Sequence, residues 1–325
     1  MRILVTGASG LIGSNLAAAA TQQSWSVLGT WRDRRVRIPG ARTMRLDMAN
    51  RRACVDAAMS FEPDVIVHAA AGGTPSRLER EPFLAQLDQL GVMHTLLAAE
   101  SVRARYVLVS CDWVFSGYRP PSQRWSEDDL LGPVNAYGCC KQLAEQAVME
   151  SNVPWLITRP ANVYGVNLSR PEEPGELAHH VWEHSGEALR WARRLRDGHI
   201  LPAPEDVYQS PTFAWDYAQR ACELIAQERD GVFHTAGPDS INRQDYLQLL
   251  ADAFDCDPEL VRDGNVARFL EVCGENPRMK LPSNVALKDE KAVAVLGHPA
   301  VDAHAGHRLM RDQLRRALAH ADSYA

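Results

Sequence analysis

Over the first half of the chain, short apolar runs alternate with longer stretches of helical periodicity. The runs at 3–6, 26–30, 43–46, 65–68, 106–110 and 155–158 predict strands, and the segments 11–20, 51–61, 80–101 and 136–150 predict helices. At 65–68 and 106–109 the apolar character is continuous, as in strands buried on both faces. This order predicts an α/β fold, a doubly wound parallel sheet covered by helices. Beyond residue 159 the alternation stops. Proline-rich loops, an arginine-rich helix near 187–197 and a helix near 243–254 predict a smaller C-terminal α/β substrate-binding region. The expected division is 1–160 for a nucleotide-binding domain and 161–325 mainly for substrate, with a strand near 231–237 returning to the main sheet.

Composition narrows the class. A chain of 325 residues, 46% hydrophobic, can bury one large core or two modest ones. A net charge of −6 argues against nucleic acid or an anionic membrane as partner and favours a small soluble ligand. No segment approaches membrane-spanning length, and a strand-like run from residue 2 leaves no room for a signal peptide. Seven scattered cysteines without paired CxxC motifs fit a reducing compartment, so the expected location is cytoplasmic.

The glycines Gly7, Gly10 and Gly13 follow the first strand and open the first helix, the context of a dinucleotide fingerprint and so of a Rossmann domain. The expected cofactor contacts there are Gly7, Ser9, Gly10, Leu11, Ile12 and Gly13. After the second strand, Arg32 stands where a guanidinium would pair with a 2′-phosphate, with Arg34 or Arg35 as helpers. That predicts NADPH, while the adjacent Asp33 leaves NADH open. Asp47 and Met48 end the third strand, where Asp47 could accept from an adenine amine, and Ala69, Ala70 and Ala71 after the fourth let a cofactor lie close to the backbone.

Tyr137 and Lys141 lie one helical turn apart and share a face. An ammonium beside a phenol favours the phenolate, which predicts a tyrosine brought toward working pH to exchange a proton at a carbonyl or alcohol oxygen. Only four lysines occur among 35 basic residues, Lys141, Lys280, Lys288 and Lys291, so one kept at this spacing is informative.

Together these features resemble an extended short-chain dehydrogenase/reductase. The segments 110–117, 125–128, 133–138, 159–165 and 209–212, with Asp216, Asn284 and Lys291, resemble its dTDP-4-dehydrorhamnose reductase branch over nearly the whole chain. The resemblance implies NADPH-dependent reduction of the 4-keto group of a nucleotide-linked deoxysugar. It assigns Tyr137 as proton donor, Lys141 as its tuning partner, and Asp112, Trp113 and Asn162 as substrate contacts. It also implies a possible homodimer through the helices at 80–101 and 136–150. The family places serine or threonine just before Asp112, where this chain has Cys111, and a thiol is a weak donor. Ser110 is expected to point to the opposite face of its strand. Two other readings share the pattern: a non-catalytic dinucleotide-binding regulatory protein, and an NAD-dependent sugar-nucleotide epimerase or dehydratase. Arg190, Arg193, Arg194 and Arg196 form a basic helical face that would either meet a diphosphate or stay solvated. His180 and His184 match a zinc-peptidase spacing but lack a clear third ligand, so no metal is expected.

Overall fold

The computed structural model describes residues 1–81 and 83–322. Its main sheet has seven strands: β1 (Arg2–Thr6), β2 (Ser26–Trp31), β3 (Arg42–Arg45), β4 (Val65–His68), β5 (Arg105–Val109), β6 (Trp155–Arg159) and β7 (Gly231–His234). They are parallel and ordered β7-β6-β5-β4-β1-β2-β3. The sheet is doubly wound, with the winding reversing between β1 and β4, and β7 is the returning strand the sequence predicts. In such sheets ligands bind at the carboxyl ends of the strands near that reversal.

Helices α1 (Leu11–Gln22), α2 (Arg51–Phe61), α3 (Phe83–Val102) and α4 (Ala136–Met149) follow β1, β3, β4 and β5. The helix expected at 80–101 is divided: a short helix, Pro75–Arg80, precedes α3, and position 82 lies outside the described residues. Glu81 leaves helical geometry at φ −127° and ψ 74°, as a residue before proline is steered to do.

Three further helices build the wall opposite the sheet or brace it: α5 (Glu187–Arg196), α6 (Ala214–Ala226) and α7 (Arg243–Ala253). Tyr217, Ala218, Ala221 and Leu224 of α6 join Leu16, Ala17 and Ala20 of α1 in one buried cluster with Val5 and Phe233. The segment from Ala214 to His234 thus packs with the nucleotide-binding core, although it follows residue 160. A separate apolar cluster joins Leu189, Trp191 and Leu195 of α5 to Tyr246, Leu247 and Leu250 of α7. Among the described residues no helix is long and apolar enough to cross a membrane, and all seven cysteines are free.

Candidate active site

The first half of the site is the turn from β1 into α1. Gly7 adopts φ +68°, and a Cβ there would stand 2.7 Å from the Ala70 Cα, so the chain after β4 lies directly against the turn. A Cβ on Gly13 would come within 2.3 Å of the Gly7 carbonyl oxygen, so only glycine lets the helix pack this closely. The N-terminus of α1 has no side-chain cap and no acidic residue in its first turn, leaving amide donors and a positive dipole end for an anion.

Around this turn, Ser9, Gly10, Leu11 and Ile12 are half-buried, as are Met48, Ala69 and Ala70, while Asp47 and Ala71 are exposed. Asp47 accepts a backbone bond from Ala49, 3.0 Å. Arg32 is exposed and pairs with Asp33 at 2.7 Å, so the two residues that favour opposite cofactors hold one another. The two helper arginines are occupied elsewhere. Arg34 donates to the carbonyl of Ser9, bracing the glycine turn from below, and Arg35 pairs with Glu172 at 2.9 Å.

The second half stands on α4. Asn135 caps this helix by accepting from the Gly138 amide, and its own amide group donates to the Lys280 carbonyl, 2.9 Å in both cases. Gly138 is required by contact: a Cβ there would meet the Trp113 carbonyl oxygen at 2.1 Å. Tyr137 packs edge-on to the Trp113 ring with centroids 5.7 Å apart. Lys141 lies 5.8 Å from the Tyr137 ring centroid and donates to the Val109 carbonyl at 3.1 Å.

The structure corrects one expectation here. The Tyr137 phenol is held well above its ordinary pKa, first by burial and then by its neighbours, the buried Cys111 beside it and the carboxyls of Asp112 and Asp88. Burial outweighs the neighbouring ammonium, whose hydrogen bond goes to the Val109 carbonyl. Tyr137 is therefore a protonated phenol at neutral pH, suited to giving a proton rather than taking one.

Cys111 is buried, its backbone extended, and its thiol is pushed far above the usual range by burial and by Asp112. It stays a thiol. Ser110 is turned away, as strand alternation predicts, and donates to Glu145 Oε1. Asp112 is 3% exposed and its Oδ2 has no partner. Burial raises its carboxyl to about 7, against backbone hydrogen bonds and the Arg243 charge, which lower it.

Sequence reasoning missed Glu145 and Arg243. Glu145 lies two turns beyond Tyr137 on the same stripe of α4 and forms a fully buried ion pair with Arg159 of β6 at 2.6 Å. That pair, with Ser110, fixes the helix against the ends of β5 and β6. The i+8 spacing from Tyr137 and the arginine ending β6 were the available signal. Arg243 is 5% exposed at the start of α7, and nothing in its sequence neighbourhood sets it apart.

Cys111, Asp112, Trp113, Tyr137 and Asn162 line one cavity of about 340 Å³, together with Ile12 of the glycine turn and Glu187, Arg190, Gln209, Arg243 and Tyr246. The cavity volume lies in the range of small-ligand sites. Of the four arginines on α5, Arg190 lines it; Arg193 pairs with Glu183 and Arg196 stacks on Trp182. Arg243 donates to Gln209 at 3.1 Å, while its Nε and Nη1 have no partner. Its guanidinium lies 5.2 Å from the Trp191 ring, 5.3 Å from Phe269 and 5.8 Å from Tyr246. Such contacts contribute about 0.5–2 kcal/mol each, against a desolvation cost of several kcal/mol for a buried ion. His180 bonds Ser169 at 3.0 Å and stacks edge-on with His184.

The family model described as the RmlD substrate binding domain matches residues 1–302. The chain belongs to that family. This RmlD-family chain is similar to the spore coat polysaccharide biosynthesis protein SpsK of Bacillus subtilis, 24% identical over 98% of this chain and 96% of that one. It is also similar to methionine adenosyltransferase 2 subunit beta of Rattus norvegicus, 27% identical over 78% of this chain and 72% of the relative. Among solved structures, dTDP-4-dehydrorhamnose reductase of Bacillus anthracis, in complex with NADP, superposes with a TM-score of 0.78. It is 20% identical, covering 96% of this chain and 99% of that one. UDP-glucose 4-epimerase of Thermus thermophilus, in complex with NAD, superposes at 0.80 with 20% identity, over 97% and 99% of the two chains. The chain is thus an RmlD-family protein with the fold of the extended short-chain dehydrogenases/reductases.

Proposed function

We propose that this RmlD-family protein is an NADPH-dependent reductase of a nucleotide-linked 4-keto-deoxysugar. The observation that carries the reading is the single cavity running from the glycine turn at Ile12 to Tyr137, a protonated phenol beside Lys141. The residues present fit a dinucleotide: glycines at 7 and 13 where a Cβ would collide, an uncapped helix N-terminus, and the small Ala69 and Ala70 against the turn. Gly7, Ser9, Gly10, Leu11, Ile12 and Gly13 would hold the diphosphate, and Asp47 and Met48 the adenine end. Arg32 would meet a 2′-phosphate by exchanging Asp33 for it.

A nicotinamide held there would supply hydride to the sugar carbonyl. Tyr137 then gives its proton to the oxygen that becomes alkoxide, and burial keeps that proton in place until it is needed. Lys141, fixed by the Val109 carbonyl, stands beside the phenol to offset the charge that develops as the proton leaves. Cys111 lines the same cavity beside the phenol and helps keep it protonated. Trp113 and Asn162 bound the sugar, and Asp112 offers the unpartnered Oδ2 to it.

The relatives named a spore coat polysaccharide biosynthesis protein and a dTDP-4-dehydrorhamnose reductase support a sugar-nucleotide substrate. The second reading, a dinucleotide-binding regulatory protein, is favoured by the weak donor at Cys111 and by the methionine adenosyltransferase beta relatives. NADPH oxidation with a panel of nucleotide-linked 4-ketosugars separates the two, read beside stabilisation by NADPH. Turnover that disappears in Tyr137→Phe supports the reductase. Stabilisation by NADPH without turnover on any sugar overturns it in favour of the binding role.

A further inference from the structure

Arg243 poses a problem of charge. Its side chain is buried at the root of α7, no carboxylate forms an ion pair with it among the described residues, and Gln209 satisfies one of its three nitrogens. The Nε and Nη1 atoms are left without partners at the wall of the cavity that also holds Tyr137. Aromatic rings of Trp191, Tyr246 and Phe269 surround the cation and exclude water from its flanks. Asp112 and Glu187 act on it through charge from further off, and Arg190 adds a second cation to the same cavity. A guanidinium kept desolvated and underpaired is stabilised by an oxyanion brought in from outside.

We propose that Arg243 is the anion anchor of this cleft and takes a phosphoryl oxygen of the substrate's diphosphate. This rests on the sugar-nucleotide reading and orients the substrate within it. The diphosphate lies against the wall of α5 and α7, with Arg190 beside it, and the sugar points from there to Tyr137. Arg243 is thus a residue that selects for a phosphorylated sugar over a neutral one. Its fork geometry suits a planar or tetrahedral oxyanion better than the point charge of a lysine.

The test measures binding of dTDP, inorganic pyrophosphate, thymidine and glucuronate to the full chain by calorimetry, in the parent protein, Arg243→Gln and Arg243→Lys. Stabilisation by NADPH in each variant reports that the nucleotide-binding core is intact. dTDP and pyrophosphate are expected to bind the parent and to weaken on the order of thirtyfold or more in Arg243→Gln, with part of the affinity restored in Arg243→Lys. Thymidine binding should not respond to the substitution. Equal affinity of dTDP for parent and Arg243→Gln overturns the proposal, as does a parent protein that binds neither phosphate probe. Glucuronate binding that depends on Arg243 while pyrophosphate binding does not also overturns it, because the anion is then a sugar carboxylate. Arg243-dependent dTDP binding without turnover of any ketosugar would sink the reductase reading and leave the anchor standing. Turnover with no Arg243 dependence would do the reverse.

Discussion

Glu145 of α4 and Arg159 of β6 form an ion pair in which the side chains are 0% and 2% exposed, with a closest approach of 2.6 Å. Two hydrogen bonds join them, from Arg159 Nε to Oε1 and from Nη2 to Oε2. Removing one partner of such a pair leaves an isolated charge in the interior. Glu145→Leu is therefore expected to lose about 3–5 kcal/mol of stability, read from urea unfolding. A loss below about 1 kcal/mol would mean the pair is not what holds α4 to the sheet.

Tyr137→Phe keeps the ring against Trp113 and removes the phenolic oxygen. The expected result is a fall in ketosugar turnover on the order of 10²–10⁴-fold with NADPH binding unchanged, measured by steady-state kinetics beside cofactor titration. Because the phenol sits well above its ordinary pKa, deprotonation of Tyr137 should not limit the parent enzyme's rate near neutral pH. An alkaline loss of rate centred near neutrality and tracking Tyr137 ionisation would contradict the raised pKa.

Asp112 links stability to pH in a defined direction. Its carboxyl is raised from 3.8 to about 7 in the folded protein, so the unfolded chain releases this proton first as pH rises. The site costs nothing at low pH, loses stability progressively between roughly pH 4 and pH 7, and costs a constant amount above that. Asp112→Asn removes the ionisation and is expected to unfold later than the parent above pH 7. The upper bound on the gain is roughly 4 kcal/mol. Thermal unfolding across this range checks it: equal melting temperatures at pH 8 would place the carboxyl in a more polar setting. Turnover should fall in the same variant, because a group proposed to touch substrate is lost.

Cys111→Thr replaces a buried thiol by a stronger donor of nearly the same size. If the oxygen of the substrate rests near Cys111, the rate should rise by about tenfold, the equivalent of one ordinary hydrogen bond. Single-turnover NADPH oxidation reads this directly, and a fall would show that the pocket is shaped around sulfur.

Much of the sheet was legible in the sequence because strands such as Val65–His68 and the run at 106–109 are continuously apolar, whereas β3, Arg42–Arg45, was betrayed only by its place in the alternation. The strand at Gly231–His234 also stood out as a buried strand, although it lies outside the first domain as drawn where the alternation stops. Tyr137 and Lys141 were legible because one helical turn fixes their relation without reference to the rest of the fold. Arg243 and Glu145 were not. Their importance lies in being buried beside particular partners, and burial of a charged residue is decided by elements far away in sequence: Gln209 for one, Arg159 for the other. The lowered pKa expected for Tyr137 failed for a related reason. Spacing brought an ammonium near but said nothing of the surrounding dryness or of Asp88 and Asp112.

The contact between Gly138 and the Trp113 carbonyl has a mechanical corollary. With no room for even a methyl group between them, the start of α4 and the turn at Asp112–Val114 are keyed together, so Tyr137, Asp112 and Trp113 move as one body with the sheet. The facing wall of α5 and α7 is built outside the seven-stranded sheet, so any adjustment to a bulky ligand would come from that side. Under the proposed function the chemistry would sit on the anvil and the specificity on the hammer, and evolution could reshape the second without disturbing the first.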